Sequence, residues 1–486
     1  MKGAASKSEA GERAPRGWHV ARWLYLRLLG VVFLIAFGSL WVQLEGLFGS
    51  RGIAPVEEVL WLEASDLRLH ALLAAGVALA LLLVADVAPA LCCLALWLLY
   101  LGLTAAGAPF LNFQWDALLI EAGFLGALAA PWRIAPRPSR DRAPPLASLL
   151  LLRWLLFRLM VLSGLVKLLS GDETWRDLSA MSFHYWTQPL PGPTSRFVHG
   201  LPGWFHAGEV VATFAIELVL PFFVFGPRVL QRVAFLGMAG LQVAIACTGN
   251  YGFFNLLTFA LCLPLLDDGL WRHIAPARLR GWGPLAADLA LRPTAARRML
   301  VAPLALALAG LGAIAGAQRC LGWEHTPGWM LSTLRKTAPL RTANSYGLFA
   351  VMTTERPEII VEGSRDGRSW EAYEFRWKPG RTSRRPGVVQ PHMPRLDWQM
   401  WFAALGNYRN NPWFLAFARR LLEGSPPVLA LLAHDPFAGR PPRYLRARVF
   451  TYRFAPADSA LWWEREELGL YCPVLTLQDG ELVRAR

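Results

Sequence analysis

Asn112–Leu128 reads NFQWDALLIEAGFLGAL, and this stretch decides the fold class. It is apolar and long enough to enter a membrane, yet it contains Asp116 and Glu121. Ionisable groups at membrane depth are costly, so they face a bundle interior, pair, or line a wet cavity. Five residues of helix turn through about 500°, which places the two carboxylates about 140° apart. They therefore need separate partners, and one apolar helix alone supplies none. The stretch belongs to a multi-helix membrane bundle.

The rest of the chain supplies the bundle. Among 486 residues, 54% are hydrophobic and 17% charged, an apolar balance for a protein of this size. Apolar runs of crossing length, about 20 residues, centre near residues 34, 76, 98, 121, 159, 217 and 238. A shorter run covers Phe253–Leu266 and a last one Leu300–Ala317, giving about nine spans. The 22 tryptophans suit aromatic belts at membrane interfaces. The formal charge of +14 sits mostly in short Arg-rich connections, with no interleaved aromatic and basic motif, so nucleic acid is not an expected partner. Nine spans put every Arg-rich connection on the side of the N-terminus, as the positive-inside rule requires. The reading is a cytosolic basic tail (1–22, the start of an uncleaved signal anchor), a multi-pass helical membrane domain (23–318) and an extracytosolic domain (319–486).

That last part changes character. LFAVMTT, EIIVEG, SWEAYEFRW and Tyr444–Phe454 have strand-like composition, with a hairpin signal at Asp366-Gly367. Leu396–Leu405 and Trp413–Glu423 read as short helices. The expected fold is a mixed, mainly antiparallel β domain with short helices. Its cysteines, Cys320 and Cys472, are the two outside the apolar runs. On an oxidising side they form a candidate disulfide.

Several chemistries are excluded by pattern. There is no GxSxG, HExxH, Walker A or EF-hand sequence. No CxxC occurs, and neither a metal nor a cofactor is expected. GLGAIAG at Gly310–Gly316 imitates a dinucleotide loop but lies inside an apolar helix without a preceding strand. Its Gly312 and Gly316 suit close helix packing in lipid.

Polar residues inside apolar runs are the candidate sites. Arg158 and Lys167 share one run, Glu217 lies in another, and His184 lies between them. Helices joined by a short connection are antiparallel neighbours. Depth matching then pairs Asp116 with Lys167 and Glu121 with Arg158. Alternatively, Lys167, His184, Glu217 and Asp116 line a catalytic pocket.

FQWDALLIEAGFL, SGLVKLLSGDETW, HYWTQPLPGP and GNYGFFNLLTFALCLPLLDD resemble the lipase maturation factor family. So do RPEIIVEGSRDGRSWEAYEFRWKPG and PHMPRLDWQMWFAAL, and the likeness runs from about residue 20 to about residue 455. The resemblance implies a multi-pass membrane protein that helps secreted lipases fold and assemble. In animals such proteins reside in the endoplasmic reticulum, with the C-terminal domain in the lumen and linked to lipase binding. At Trp186 the family pattern carries an acidic residue. The Ala-, Arg-, Leu- and Gly-rich composition, without an Asn-x-Ser/Thr site, points to a bacterial member in an inner membrane. A shorter likeness, SGLVKL followed by an acid and Trp, is to vitamin K-dependent gamma-carboxylase and implies Lys167 as a base. Two functions therefore stand open. One is a folding factor that binds a secreted lipase or other exported client through Arg395, Trp398, Trp401 and Phe402. The other is a membrane-embedded enzyme.

Overall fold

The computed structural model describes residues 17–437 and 439–485. Most of the basic tail expected over 1–22 lies outside the described residues, and the first helix, His19–Trp41, already begins within it.

Nine helices follow the apolar runs and alternate between two ends. They are His19–Trp41, Asp66–Val84, Pro89–Ala106, Gln114–Ala129, Leu146–Leu169, Gly203–Phe225, Arg228–Thr248, Phe254–Leu265 and Ala295–Leu321. Seven are long and apolar enough to cross a bilayer. The other two decide how the expected figure of about nine spans is counted. Phe254–Leu265 bends by 100° into Asp268–Ile274, and counting that pair as one span gives up to eight. Gln114–Ala129 has 16 residues, about 24 Å at 1.5 Å per residue, against a hydrocarbon core of about 30 Å. It tolerates that shortfall because neighbouring helices surround nearly every side chain on it. Leu82, Leu91, Phe222, Leu236 and Leu306 are exposed on the outer helices and form the lipid-facing surface.

One end of the bundle gathers the Arg-rich connections. Arg27 pairs with Asp86 at 2.7 Å, Arg133 with Asp86 at 2.7 Å and Asp141 at 2.6 Å, and Arg228 with Asp267 at 2.6 Å. Asp268 accepts the backbone amides of His19 and Val20, each at 3.0 Å, and so caps the first helix.

The opposite end carries the C-terminal cap. Five of its strands form an antiparallel sheet in the order Glu371–Ala372, Pro357–Ser364, Tyr444–Phe454, Trp463–Gln478 and Glu481–Arg484, and Glu374–Phe375 pairs separately with Leu432–His434. Asp366 turns the first hairpin by accepting the amides of Arg368 and Ser369, both at 2.8 Å. The helices Arg395–Ala404 and Pro412–Leu422 pack beside the sheet. LFAVMTT is not a strand: residues 348–354 form an irregular segment pressed onto the bundle. Cys320 and Cys472 are both free thiols. Cys472 is buried within its strand opposite Ala447, while Cys320 lies in the last turn of a membrane helix, so the expected bridge does not form. One apolar core runs without a break from the bundle into the cap.

Candidate functional site

The two carboxylates of the opening stretch both reach the cap. Asp116 is fully buried, and both its oxygens take Arg395, at 2.7 and 2.8 Å. Tyr100 donates its hydroxyl to the same carboxylate at 2.6 Å. The expected Asp116–Lys167 pair is therefore replaced by Asp116–Arg395. The physical reason is that the cap inserts the start of its Arg395–Ala404 helix into the end of the bundle opposite the Arg-rich connections. Ser39 and Gln43 grip the chain where it enters that helix. Met393 donates its amide to Ser39 at 2.9 Å, and Arg395 donates its amide to Gln43 at 2.8 Å.

Glu121 forms an ion pair with Arg158. Its second oxygen accepts the Asn344 amide at 2.9 Å and the Tyr346 hydroxyl at 2.8 Å. Arg158 in turn donates to the Asn344 carbonyl at 2.7 Å. Burial first, and then the Glu121 carboxylate, raises the Tyr346 phenol well above its usual range and keeps it a donor. Gly312 makes room for this cluster. A Cβ there would stand 2.7 Å from the Arg158 Nε.

The remaining polar motifs are built into the same joint. Arg356 is fully buried and donates to the carbonyls of Trp186, Gln188 and Pro189, within HYWTQPLPGP. Trp186 is buried and enters this contact through its carbonyl, where no side-chain charge is required. Asn250, in GNYGFFN, donates to Gly387 at 3.0 Å and accepts from Val389 at 2.8 Å. Trp401 donates its indole N–H to the Thr187 carbonyl at 3.0 Å.

Between bundle and cap lies a cavity of about 690 Å³. Leu159, Met160, Leu241, Ile245 and Phe254 line it from the bundle, and Phe349, Val351, Trp398, Trp401 and Phe402 from the cap. Lys167 and Glu217 form its charged corner. The Lys167 ammonium has three donors. It contacts both Glu217 oxygens, at 3.0 and 2.8 Å, and the Ser163 carbonyl at 3.2 Å. All three donors are taken up by these acceptors, so the geometry gives no support to Lys167 as a base. His184 does not join that corner. It is buried edge-on against Phe349, and burial, assisted by the Lys167 charge, lowers its pKa to about 4. Among the described residues no group of three His, Cys, Asp or Glu is placed to hold a metal ion.

The proposed client anchors are also relocated. Arg395, Trp398 and Trp401 are buried at the joint and only Phe402, 40% exposed, reaches the surface. Both faces of the Arg395–Ala404 helix are covered, one by the sheet and the other by the bundle. An aromatic-rich helix sequence does not distinguish that from an exposed aromatic face. Sequence reasoning did not assign Ser39, Gln43, Tyr100, Asn344, Tyr346 and Arg356. Their one signal was membership in, or nearness to, polar motifs flanking apolar runs.

A multi-pass membrane bundle locked to an α/β cap by buried ion pairs is the class these features define. The chain belongs to the lipase maturation factor family. Residues 20–273 match the family's transmembrane domain, and residues 342–473 match its C-terminal domain. The chain is similar to lipase maturation factor 2 of Homo sapiens, at 36% identity over 97% of this chain and 84% of the relative. It is also similar to lipase maturation factor 1 of Bos taurus, at 34% over 96% and 91%, and of Homo sapiens, at 33% over 95% and 88%. No solved structure matches it.

Proposed function

We infer that the protein assists the maturation of secreted lipases or similar exported proteins by binding them, without bond chemistry of its own. The observation that carries this reading is the cavity at the joint. Its one lysine is held in an ion pair, while its mouth exposes Val351 at 65%, Phe402 at 40% and Leu405 at 45%. Clustered exposed apolar side chains mark interaction sites, and an incompletely folded client offers apolar segments to match. Family membership points the same way, since the relatives carry the name lipase maturation factor.

The Arg-rich end faces the cytosol in this reading, and the cap stands on the extracytosolic side, where secreted proteins fold. A bacterial inner membrane suits the composition. A phosphatase fused after Arg486 is active if the cap is outside and inactive if it is not.

The functional test is co-expression of the full chain with a secreted lipase that is poorly active when made alone. Lipase activity per unit of secreted lipase is expected to rise. It is expected to fall back when Phe402→Asp and Leu405→Asp are introduced together. Unchanged specific activity with and without the full chain would remove the proposal.

A further inference from the structure

The Arg-rich end of the bundle contains a second cavity, of about 560 Å³. Five guanidiniums line it, those of Arg133, Arg137, Arg140, Arg142 and Arg297, against the single carboxylate of Asp141. That carboxylate is already taken by Arg22 at 3.3 Å and Arg133 at 2.6 Å. Among the described residues, Arg137, Arg140, Arg142 and Arg297 have no carboxylate partner. Arg297 donates its Nη2 to the Leu128 and Ala130 carbonyls, while its Nε is buried without a hydrogen-bond acceptor. The cavity also takes in the first turn of the 27-residue helix Ala295–Leu321, the positive end of its dipole.

Positive charge at the cytosolic ends of helices is explained by orientation alone, and such charge usually lies on an open, solvated surface. Here the exposed Arg137, Arg140 and Arg142 ring a concavity, and the charge concentrates there beyond what its single carboxylate neutralises. Planar guanidiniums match phosphate oxygens bidentately. Apolar groups flank the opening. Trp132 is 60% and Leu300 52% exposed, and both belong to the lining.

We propose that this cavity binds the phosphate of an anionic phospholipid, with the acyl chains lying along Leu300 and the Trp132 ring. Phosphate is the shared chemistry of a lipid headgroup and a soluble phosphate. The flanking apolar side chains, at the end of a membrane helix, favour the lipid. Basic pockets between membrane helices bind such headgroups through the same charges. The ligand would tie the 131–145 connection to the last membrane helix.

The test uses the full chain in detergent, with phosphatidylglycerol or phosphatidylcholine titrated in and retained lipid read by native mass spectrometry. Wild type is expected to retain phosphatidylglycerol in preference to phosphatidylcholine. Arg137→Gln with Arg140→Gln, both exposed side chains, is expected to weaken that retention about thirtyfold, the effect of two basic groups near an anionic headgroup. Arg278→Gln with Arg280→Gln, on the same end but outside the cavity, is expected to leave it unchanged. Equal retention of the two lipids by wild type would overturn the proposal. So would equal losses in the two double variants, which would mean a diffuse field. Displacement of the lipid by millimolar inorganic phosphate would assign the cavity to a soluble anion and overturn the lipid.

Discussion

Asp116→Asn is expected to loosen the cap from the membrane bundle. The Arg395 guanidinium is 2% exposed and reaches Asp116 at 2.7 and 2.8 Å. Its other contacts are neutral: the Phe110 carbonyl at 3.2 Å and the Tyr100 hydroxyl at 3.3 Å. Asparagine keeps the side-chain shape and removes the charge, leaving a buried guanidinium without its carboxylate. Removing one member of such a pair costs about 3–5 kcal/mol. That is about two to four powers of ten in the equilibrium between docked and undocked cap, at about 1.4 kcal/mol per tenfold. The assay is limited proteolysis of the purified full chain, following cleavage in the 322–343 connection, together with thermal unfolding by tryptophan fluorescence. Arg395→Met alone strands Asp116 and is expected to be similarly damaging. The double variant Asp116→Asn, Arg395→Met removes both charges and is expected to recover part of the loss. Additive losses in the double variant would refute the pairing. Recovery by Lys167→Met in place of Arg395→Met would restore the pairing that depth matching in the sequence favours.

Glu121→Gln strands Arg158 and weakens the contacts to Asn344 and Tyr346, so faster cleavage in the same connection is expected, again with a loss of about 3–5 kcal/mol; wild-type cleavage would show that the cluster does not hold the cap. Acid is expected to destabilise the joint. Burial, followed by the Arg395 and Arg376 charges, holds His392 at about 4, and His184 is also held at about 4. The unfolded chain binds these protons more readily, so stability is full above about pH 6.5 and falls towards pH 4. His392→Gln should flatten part of that slope in melting curves measured across pH. With the cap folded, maleimide is expected to label the exposed Cys247 and the partly exposed Cys320 and spare the buried Cys472. A reductant should leave the melting temperature unchanged; a fall would reveal a disulfide.

The sequence made legible what depends on neighbours in the chain. Apolar runs specify the nine helices, because a helix in lipid needs little beyond length and hydropathy. The Arg-rich connections separate the two ends for a similarly local reason. Pro357–Ser364 and Tyr444–Phe454 are visible as strands through their β-branched and aromatic content. Glu121 and Arg158 lie 37 residues apart on adjacent antiparallel helices. Asp116 and Arg395 are 279 residues apart, and nothing in either segment reports that the cap enters the bundle. Depth matching therefore selected Lys167 for Asp116, whereas Lys167 meets Glu217 across the cavity. The irregular path of residues 348–354 was hidden for the same reason. Those side chains face an apolar cavity wall rather than a sheet, and composition does not separate the two.

The proposed role of these buried polar groups is to hold a binding platform together, without chemistry of their own. Its most direct test replaces the one cavity lysine and its partner by apolar residues of similar volume, Lys167→Met with Glu217→Leu. A buried ion pair exchanged in this way is often neutral or stabilising. The measurement is lipase activity per unit of secreted lipase on co-expression, normalised to the membrane level of the variant. The account predicts a value within about twofold of wild type, in keeping with that near-neutral exchange. Loss of all assistance from a variant that accumulates and melts like wild type would contradict it and return Lys167 to a chemical role.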